Sequence, residues 1–134
     1  MTIECFVLAA GKSTRMGGVS KLSQKIGDMS LICHVIENLR IAGVNSVTVI
    51  YGDCWGVEEL ELPAIATPLR NENAENGIGS SIALAATSLP STATRLLFAL
   101  ADMPKIMPET ILALMQKSAD NDANIWVPTY RGKQ

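Results

Sequence analysis

The run Cys5-Phe-Val-Leu-Ala-Ala10 is apolar at every position and stops at Gly11. A strand with one wet face alternates apolar and polar residues, so an unbroken apolar run predicts a strand buried on both faces. Arg95-Leu-Leu-Phe-Ala-Leu-Ala101 repeats the pattern and is the clearest buried strand after the first. Between them, Leu31, Val35, Leu39 and Ala42 fall at helical spacing, and Gly43 supplies a stop. Strands of this kind alternating with helices point to an α/β fold built on a mostly parallel sheet.

The remaining elements fit that frame. Ser46-Val-Thr-Val-Ile-Tyr51 reads as the second strand, Cys54 to Leu60 as a short helix, and Ala64 to Thr67 as a short third strand. Asn71 to Gly79 is polar and punctuated by glycine, so it reads as a loop, with a small-residue helix from Ser80 to Thr87. Pro108 at a first helical position, with Glu109 behind it, opens a helix through about Lys117. Asn124 to Pro128 reads as another strand, and Thr129-Tyr-Arg-Gly-Lys-Gln134 as the start of a β-hairpin.

The 134 residues suit one domain with its own core. Eleven basic and thirteen acidic residues leave a net charge of -2, without the basic excess that nonspecific nucleic-acid binding needs. Aromatics at 4% are too few for a base-stacking platform. The three cysteines, Cys5, Cys33 and Cys54, form neither a disulfide framework nor a metal pattern and suit a reducing compartment. The N-terminal apolar run is too short for a secretory signal, and no stretch approaches the roughly 18 apolar residues of a membrane span. The expected location is the cytoplasm, with no membrane and no nucleic-acid partner.

In parallel α/β sheets, ligands bind beyond the carboxyl ends of the strands. The first place there is Leu8-Ala-Ala-Gly-Lys-Ser-Thr-Arg-Met-Gly17, which leaves the first strand. No acid occurs between Glu4 and Asp28, whereas Lys12, Arg15, Lys21 and Lys25 all fall in that stretch. A small-residue loop with free backbone N–H groups and several cations suits a polyphosphate. Arg15 can fork two phosphate oxygens, and Lys21 is a point charge that can follow charge developing on one phosphate. The loop is not a Walker A motif, because Phe6 stands where that motif needs glycine. Gly77-Ile-Gly-Ser-Ser-Ile82 likewise fails the dinucleotide fingerprint at its last position.

The second place is Asp102, directly after the strand that ends at Ala101 and the only acid between Glu75 and Glu109. A lone carboxylate there suits Mg²⁺, which takes few protein ligands and shares substrate phosphates. An Asp capping a turn before proline is the competing reading. The third place is Asn71 to Ser81, where Asn71, Asn73, Asn76, Ser80 and Ser81 offer neutral hydrogen bonds to a base edge or sugar hydroxyl. An ordinary turn with a serine cap explains those residues as well. His34 has no second histidine to form a metal pair or a triad and reads as structural, as do Trp55 and Trp126.

These three places also resemble, in order, the motifs of the molybdenum cofactor nucleotidyltransferases, within the MobA-like NTP transferases. Leu8 to Gly17 with Lys21-Leu22 is similar to their LAAGxSxRMGxxK signature, Asn71 to Ile82 to their nucleotide-side loop, and Leu100-Ala-Asp-Met-Pro104 to their LADMP metal motif. The resemblance runs from residue 3 to about residue 132. It implies a Rossmann-like three-layer fold, as in nucleotide-diphospho-sugar transferases. It also implies Mg²⁺-dependent transfer of a nucleotide to the terminal phosphate of a molybdopterin-type cofactor, with release of pyrophosphate. On that resemblance Leu8, Ala9, Ala10, Gly11, Ser13, Arg15 and Lys21 would hold the nucleotide and its phosphates. Asn71, Gly77, Gly79 and Ser81 would complete the nucleotide site, and Asp102 would bind the metal. Lys21, Arg15 and Asp102 are the expected catalytic residues.

Ala9-Ala10-Gly11 resembles the cytidylyl branch, whereas guanylyl members tend to carry Ala-Gly-Gly, so CTP is the expected donor. Glu72 stands where the family has proline and Ala74 where it has an aromatic residue. Family members also continue past Tyr130-Arg-Gly-Lys133 with an acceptor-binding segment, which these 134 residues do not include. The expected partners are a nucleoside triphosphate, a pterin-phosphate acceptor, and a molybdoenzyme or maturation factor. The rival readings are a guanylyltransferase of the same family, a sugar- or polyol-phosphate nucleotidyltransferase, and a nucleotide-binding accessory factor without turnover.

Overall fold

The computed structural model describes residues 3–10, 15–16, 19–20, 25–52, 61–120, 125 and 127, with the backbone alone for 15, 16, 19, 20 and 25. Four strands form a parallel sheet: β1 (Ile3–Ala9), β6 (Val47–Tyr51), β7 (Ala66–Arg70) and β8 (Arg95–Leu100), in the order β7-β6-β1-β8. Two small antiparallel pairs, β2 (Arg15–Met16) with β3 (Val19–Ser20) and β4 (Lys25–Ile26) with β5 (Met29–Ser30), precede the first helix. The helices are α1 (Leu31–Ile41), α2 (Ile78–Thr87) and α3 (Pro108–Ala119), with one 3₁₀ turn at Ala74–Asn76.

The unbroken apolar run of β1 has the cause expected of it. Cys5, Val7 and Ala9 face a core closed by Ile32, Val35, Ile36 and Leu39 of α1 and Ile111 of α3. Phe6 and Leu8 face the opposite core, where Ala85 and Leu84 of α2 close over Ile50. The Phe6 and Phe98 rings stack there at 5.8 Å between centroids. The molecule is therefore an α/β sandwich of three layers, with α1 and α3 on one side of a parallel sheet and α2 on the other.

Local signals set the helix ends. Ser30 Oγ accepts from the Cys33 amide at the start of α1. At its other end Gly43 takes φ 104°, and the Gly43 and Val44 amides return to the carbonyls of Arg40 and Leu39, both at 3.0 Å. That pair of bonds is a Schellman motif, and its positive φ favours glycine. Pro108 opens α3 as expected.

Three sequence expectations shift. The third strand lies at Ala66–Arg70 rather than Ala64 to Thr67, and it contains Pro68. Proline is tolerated because β7 is an edge strand of the sheet. Helix α2 starts at Ile78, two residues before Ser80, because Gly77 forms its N-cap. Ile125 and Val127 lie in no strand, since neither has a ladder partner among the described residues. The helix expected from Cys54 to Leu60 lies outside the described residues, as do Cys54, Trp55 and Trp126. Among the described residues, no helix is long and apolar enough to cross a membrane.

Candidate active site

The strand order makes one place special. After β1 the chain builds outward to β6 and β7, then returns to lay β8 on the other side of β1. Connections leave toward opposite faces on either side of that point, which makes the carboxyl ends of β1 and β8 the topological switch of the sheet. The register is Leu8 opposite Leu100, and the Ala101 amide donates to the Leu8 carbonyl at 3.1 Å. Asp102 therefore leaves β8 beside Ala9-Ala10, where β1 ends. On the other flank, Ala9 pairs with Tyr51, Tyr51 pairs with Arg70, and the Asn71 amide donates to the Tyr51 carbonyl at 2.7 Å. The three places separated in sequence thus share one rim of the sheet.

Gly52 joins the first place to the third. A methyl group built on it would lie 2.9 Å from the Ala74 methyl and 3.7 Å from that of Ala10. The end of β1 and the 3₁₀ turn approach each other across a gap that only glycine fits. Sequence reasoning did not single out Gly52, although a glycine directly after a strand signals a close backbone approach.

Asn71 is turned inward, with only 3% of its surface exposed. Its Nδ2 donates to Ser80 Oγ at 2.9 Å and to Ser81 Oγ at 3.0 Å, and its Oδ1 accepts from the Asn73 amide at 3.0 Å. Ser81 is buried with it, while Ser80 Oγ donates to the Gly77 carbonyl at 2.7 Å. These side chains tie the turn after β7 to the first turn of α2. Gly77 holds φ 94°, and Gly79 has open space where a side chain would stand. The first turn of α2 carries no acid, and the Ser80 amide closes it by donating to the Gly77 carbonyl at 3.1 Å.

Asp102 is half-buried, and its carboxylate has no hydrogen bond or ion pair with any described residue. Its backbone is well held: Ala101 is fully buried, and the Met103 amide folds back onto the Leu100 carbonyl at 3.2 Å. No group of three or more His, Cys, Asp or Glu occurs among the described residues. A metal at this rim would take the Asp102 carboxylate and fill its other positions with phosphate oxygens and water, a donor set that fits Mg²⁺.

Leu8 and Ala9 are buried within β1, and Ala10 is partly exposed at the rim. Arg15 is placed by its backbone, paired with Ser20 in the hairpin that follows β1. Gly11, Ser13 and Lys21 lie outside the described residues. The two hairpins were not read from the sequence, although two-residue Gly-Gly and Gly-Asp connections at Gly17-Gly18 and Gly27-Asp28 signal them.

His34 is structural, as expected: its Nε2 lies 2.8 Å from the Ile26 carbonyl and ties α1 to the second hairpin. Burial, with the neighbouring Glu4 carboxylate second, pushes the Cys5 thiol from 9.0 up to about 12, so it is no nucleophile at neutral pH. A groove of about 910 Å³ runs along β8, but among the described residues its lining is mostly apolar and contains no carboxylate. The described candidate residues gather at the rim instead.

Residues 5–134 match the model of the MobA-like NTP transferase domain. The chain is 30% identical over 118 residues to the bifunctional protein GlmU of Psychrobacter sp. (strain PRwf-1), a match covering 86% of this chain and 25% of that protein. Its structure resembles Rv0371c of Mycobacterium tuberculosis H37Rv with a TM-score of 0.72 and 23% identity, over 90% of this chain and 63% of that one. The manganese complex of Rv0371c gives a TM-score of 0.68 and 18% identity, over 88% and 60% of the two chains. A nucleotidyl transfer enzyme from Methanothermobacter thermautotroptrophicus gives a TM-score of 0.72 and 23% identity, over 85% and 56%. The chain thus spans about a quarter of the GlmU relative and about three fifths of these solved chains. With the α/β sandwich, the strand-order switch between β1 and β8 and a domain match running from residue 5 to residue 134, the chain belongs to the MobA-like NTP transferase family.

Proposed function

We propose that this chain binds a nucleoside triphosphate, with CTP favoured, across the carboxyl rim of its sheet together with Mg²⁺. The nucleotide then passes to the terminal phosphate of a molybdopterin-type cofactor. The observation that carries the reading is the Ala101–Leu8 hydrogen bond, which sets Asp102 beside the end of β1. The sequence resemblance points to the pterin acceptor, and the manganese complex of a protein of similar fold supports a divalent ion.

In this reading the loop from Leu8 through Gly11 and Ser13 receives the nucleotide through backbone N–H groups, and Arg15 and Lys21 neutralise its phosphates. Asn71 and Ser81 act by shape, holding the turn so that Gly77, Gly79 and the first turn of α2 face the ligand. Ala10 adds a methyl at the rim that crowds a purine held against the backbone more than a pyrimidine. An oxygen of the acceptor phosphate attacks the α-phosphorus, the bond from that phosphorus to the bridging oxygen breaks, and pyrophosphate leaves with the bond electrons. Asp102 holds Mg²⁺, which when bound supplies charge neutralisation on the reacting phosphates. Such a transfer needs positioning and electrostatics rather than a covalent nucleophile, in keeping with the inert Cys5.

The test is calorimetric titration of this chain with CTP, GTP and ATP, each with and without Mg²⁺. The expected result is binding strengthened by Mg²⁺ and tightest for CTP. Preference for GTP would move the assignment to the guanylyl branch. A folded chain that binds none of the three would overturn the nucleotide site. Nucleotide binding without transfer in the complete protein would leave the accessory-factor reading in its place.

A further inference from the structure

Asn38 lies in the middle of α1, on a turn between the buried Val35 and Leu39. Its Nδ2 donates to two carbonyls of a distant loop, those of Pro104 and Ile106, each at 3.0 Å. That loop carries Asp102. On its near side the loop hangs from β1 through the Ala101–Leu8 bond, and within it the Ile106 amide reaches the Met103 carbonyl at 3.5 Å, a weak bond. Pro104 has no N–H to contribute. One side-chain amide therefore spends both of its hydrogens on the far side of the loop.

We propose that Asn38 is a positioning residue for the metal-binding carboxylate: by clamping Pro104 and Ile106 to α1, it fixes where Asp102 stands relative to the end of β1. The inference rests on the reading that Asp102 binds the divalent ion. A site whose ion is held by one carboxylate and shared phosphates has little else to correct a displaced ligand. Displacements of about 1 Å at such sites are worth up to about 100-fold in function. The helix offers a firm base, because Ile32, Val35, Ile36 and Leu39 lock α1 into the core. The same helix continues directly from the β4–β5 hairpin.

The test is a Mn²⁺ titration of the chain in saturating CTP, followed by the paramagnetic resonance of free Mn²⁺, beside CTP binding without metal and thermal unfolding. Asn38→Leu and Asn38→Asp remove both donors while keeping the size of the side chain, and Asn38→Gln keeps both donors. The expected result is a Mn²⁺ midpoint raised about 10-fold or more in the first two, with metal-free CTP binding within about twofold. In Asn38→Gln the midpoint returns to within about threefold of the unaltered chain. Amide exchange across residues 103–106 should speed up in Asn38→Leu without metal, as a released loop requires. An unchanged Mn²⁺ midpoint in both donor-free variants overturns the proposal, and so does an equal loss of metal-free and metal-dependent binding. Asp102→Asn separates the two readings. If it abolishes Mn²⁺ binding while Asn38→Leu and Asn38→Asp do not weaken it, only the positioning role falls. If Asp102→Asn leaves Mn²⁺ binding intact, the metal assignment falls and the positioning role with it.

Discussion

The backbone N–H of Ala101 and the carbonyl of Leu8 meet at 3.1 Å, one hydrogen bond beyond the last paired residues of β8 and β1. That bond brings the ends of two motifs remote in sequence side by side. It places a carboxylate with no described partner beside Ala9-Ala10 at the end of β1, at the point where the strand order reverses. Four consequences can be measured.

Asp102→Asn keeps the shape of the side chain and removes its charge. Because the carboxylate has no partner among the described residues, the melting temperature should stay within about two degrees, as changes outside a hydrogen-bond network usually do. Mg²⁺ enhancement of CTP binding should vanish, and transfer by the complete protein should fall about 100-fold or more. Normal Mg²⁺ enhancement in the purified variant would refute the metal role of Asp102.

Gly52→Ala puts a methyl 2.9 Å from the Ala74 methyl, closer than real side chains stand. Both atoms are attached directly to backbone, so the turn after β7 must move. The expected cost is about 1–3 kcal/mol in urea unfolding, with weaker nucleotide binding. Adding Ala74→Gly should recover much of the loss, because the pair is then relieved of its contact. A double variant as unstable as Gly52→Ala alone would show that another contact is responsible.

Asn71→Ala strips three hydrogen bonds from the turn and leaves the buried Ser81 hydroxyl without its amide donor. The expected destabilisation is about 1–3 kcal/mol, read from the urea midpoint. Nucleotide affinity should fall as well, through the shape of the turn. Full stability in this variant would mean that the turn is held by its backbone alone.

The buried Cys5 thiol gives a pH prediction. Its folded value is raised, from 9.0 to about 12, so the folded state holds the proton more tightly than the unfolded state. This contribution to stability is fully present below about pH 9 and is lost as pH rises toward 12. The slope from one such group is at most about 1.4 kcal/mol per pH unit. Cys5→Ala should flatten the fall in stability between pH 9 and pH 11, measured by urea unfolding. An identical slope in both proteins would place the proton release elsewhere.

Much of the fold was legible because the signals are local. The apolar run of β1, the spacing of Leu31, Val35 and Leu39, the stop at Gly43 and the opening at Pro108 each act within a few residues of where they are read. Asp102 could likewise be marked from sequence, as an isolated acid after a buried strand. The turn after β7 was harder. Its asparagine and serines were legible as hydrogen-bonding groups, but their direction was not, and the Asn71 amide spends itself on Ser80, Ser81 and Asn73. Asn38 gave no sequence signal at all, since its two acceptors lie far along the chain at Pro104 and Ile106.

By itself, then, the sequence determined the main strands and helices and that the sheet is covered on both faces, and it marked the candidate site residues. Hydrophobic period and capping are properties of neighbouring residues, so they survive without the rest of the molecule. The tertiary structure alone decided the order β7-β6-β1-β8, and with it the meeting of Leu8 and Ala101, the tight passage at Gly52 and the clamp from Asn38. Those contacts depend on which strands become neighbours and how closely they approach, and burial and packing settle that only when the whole chain is in place.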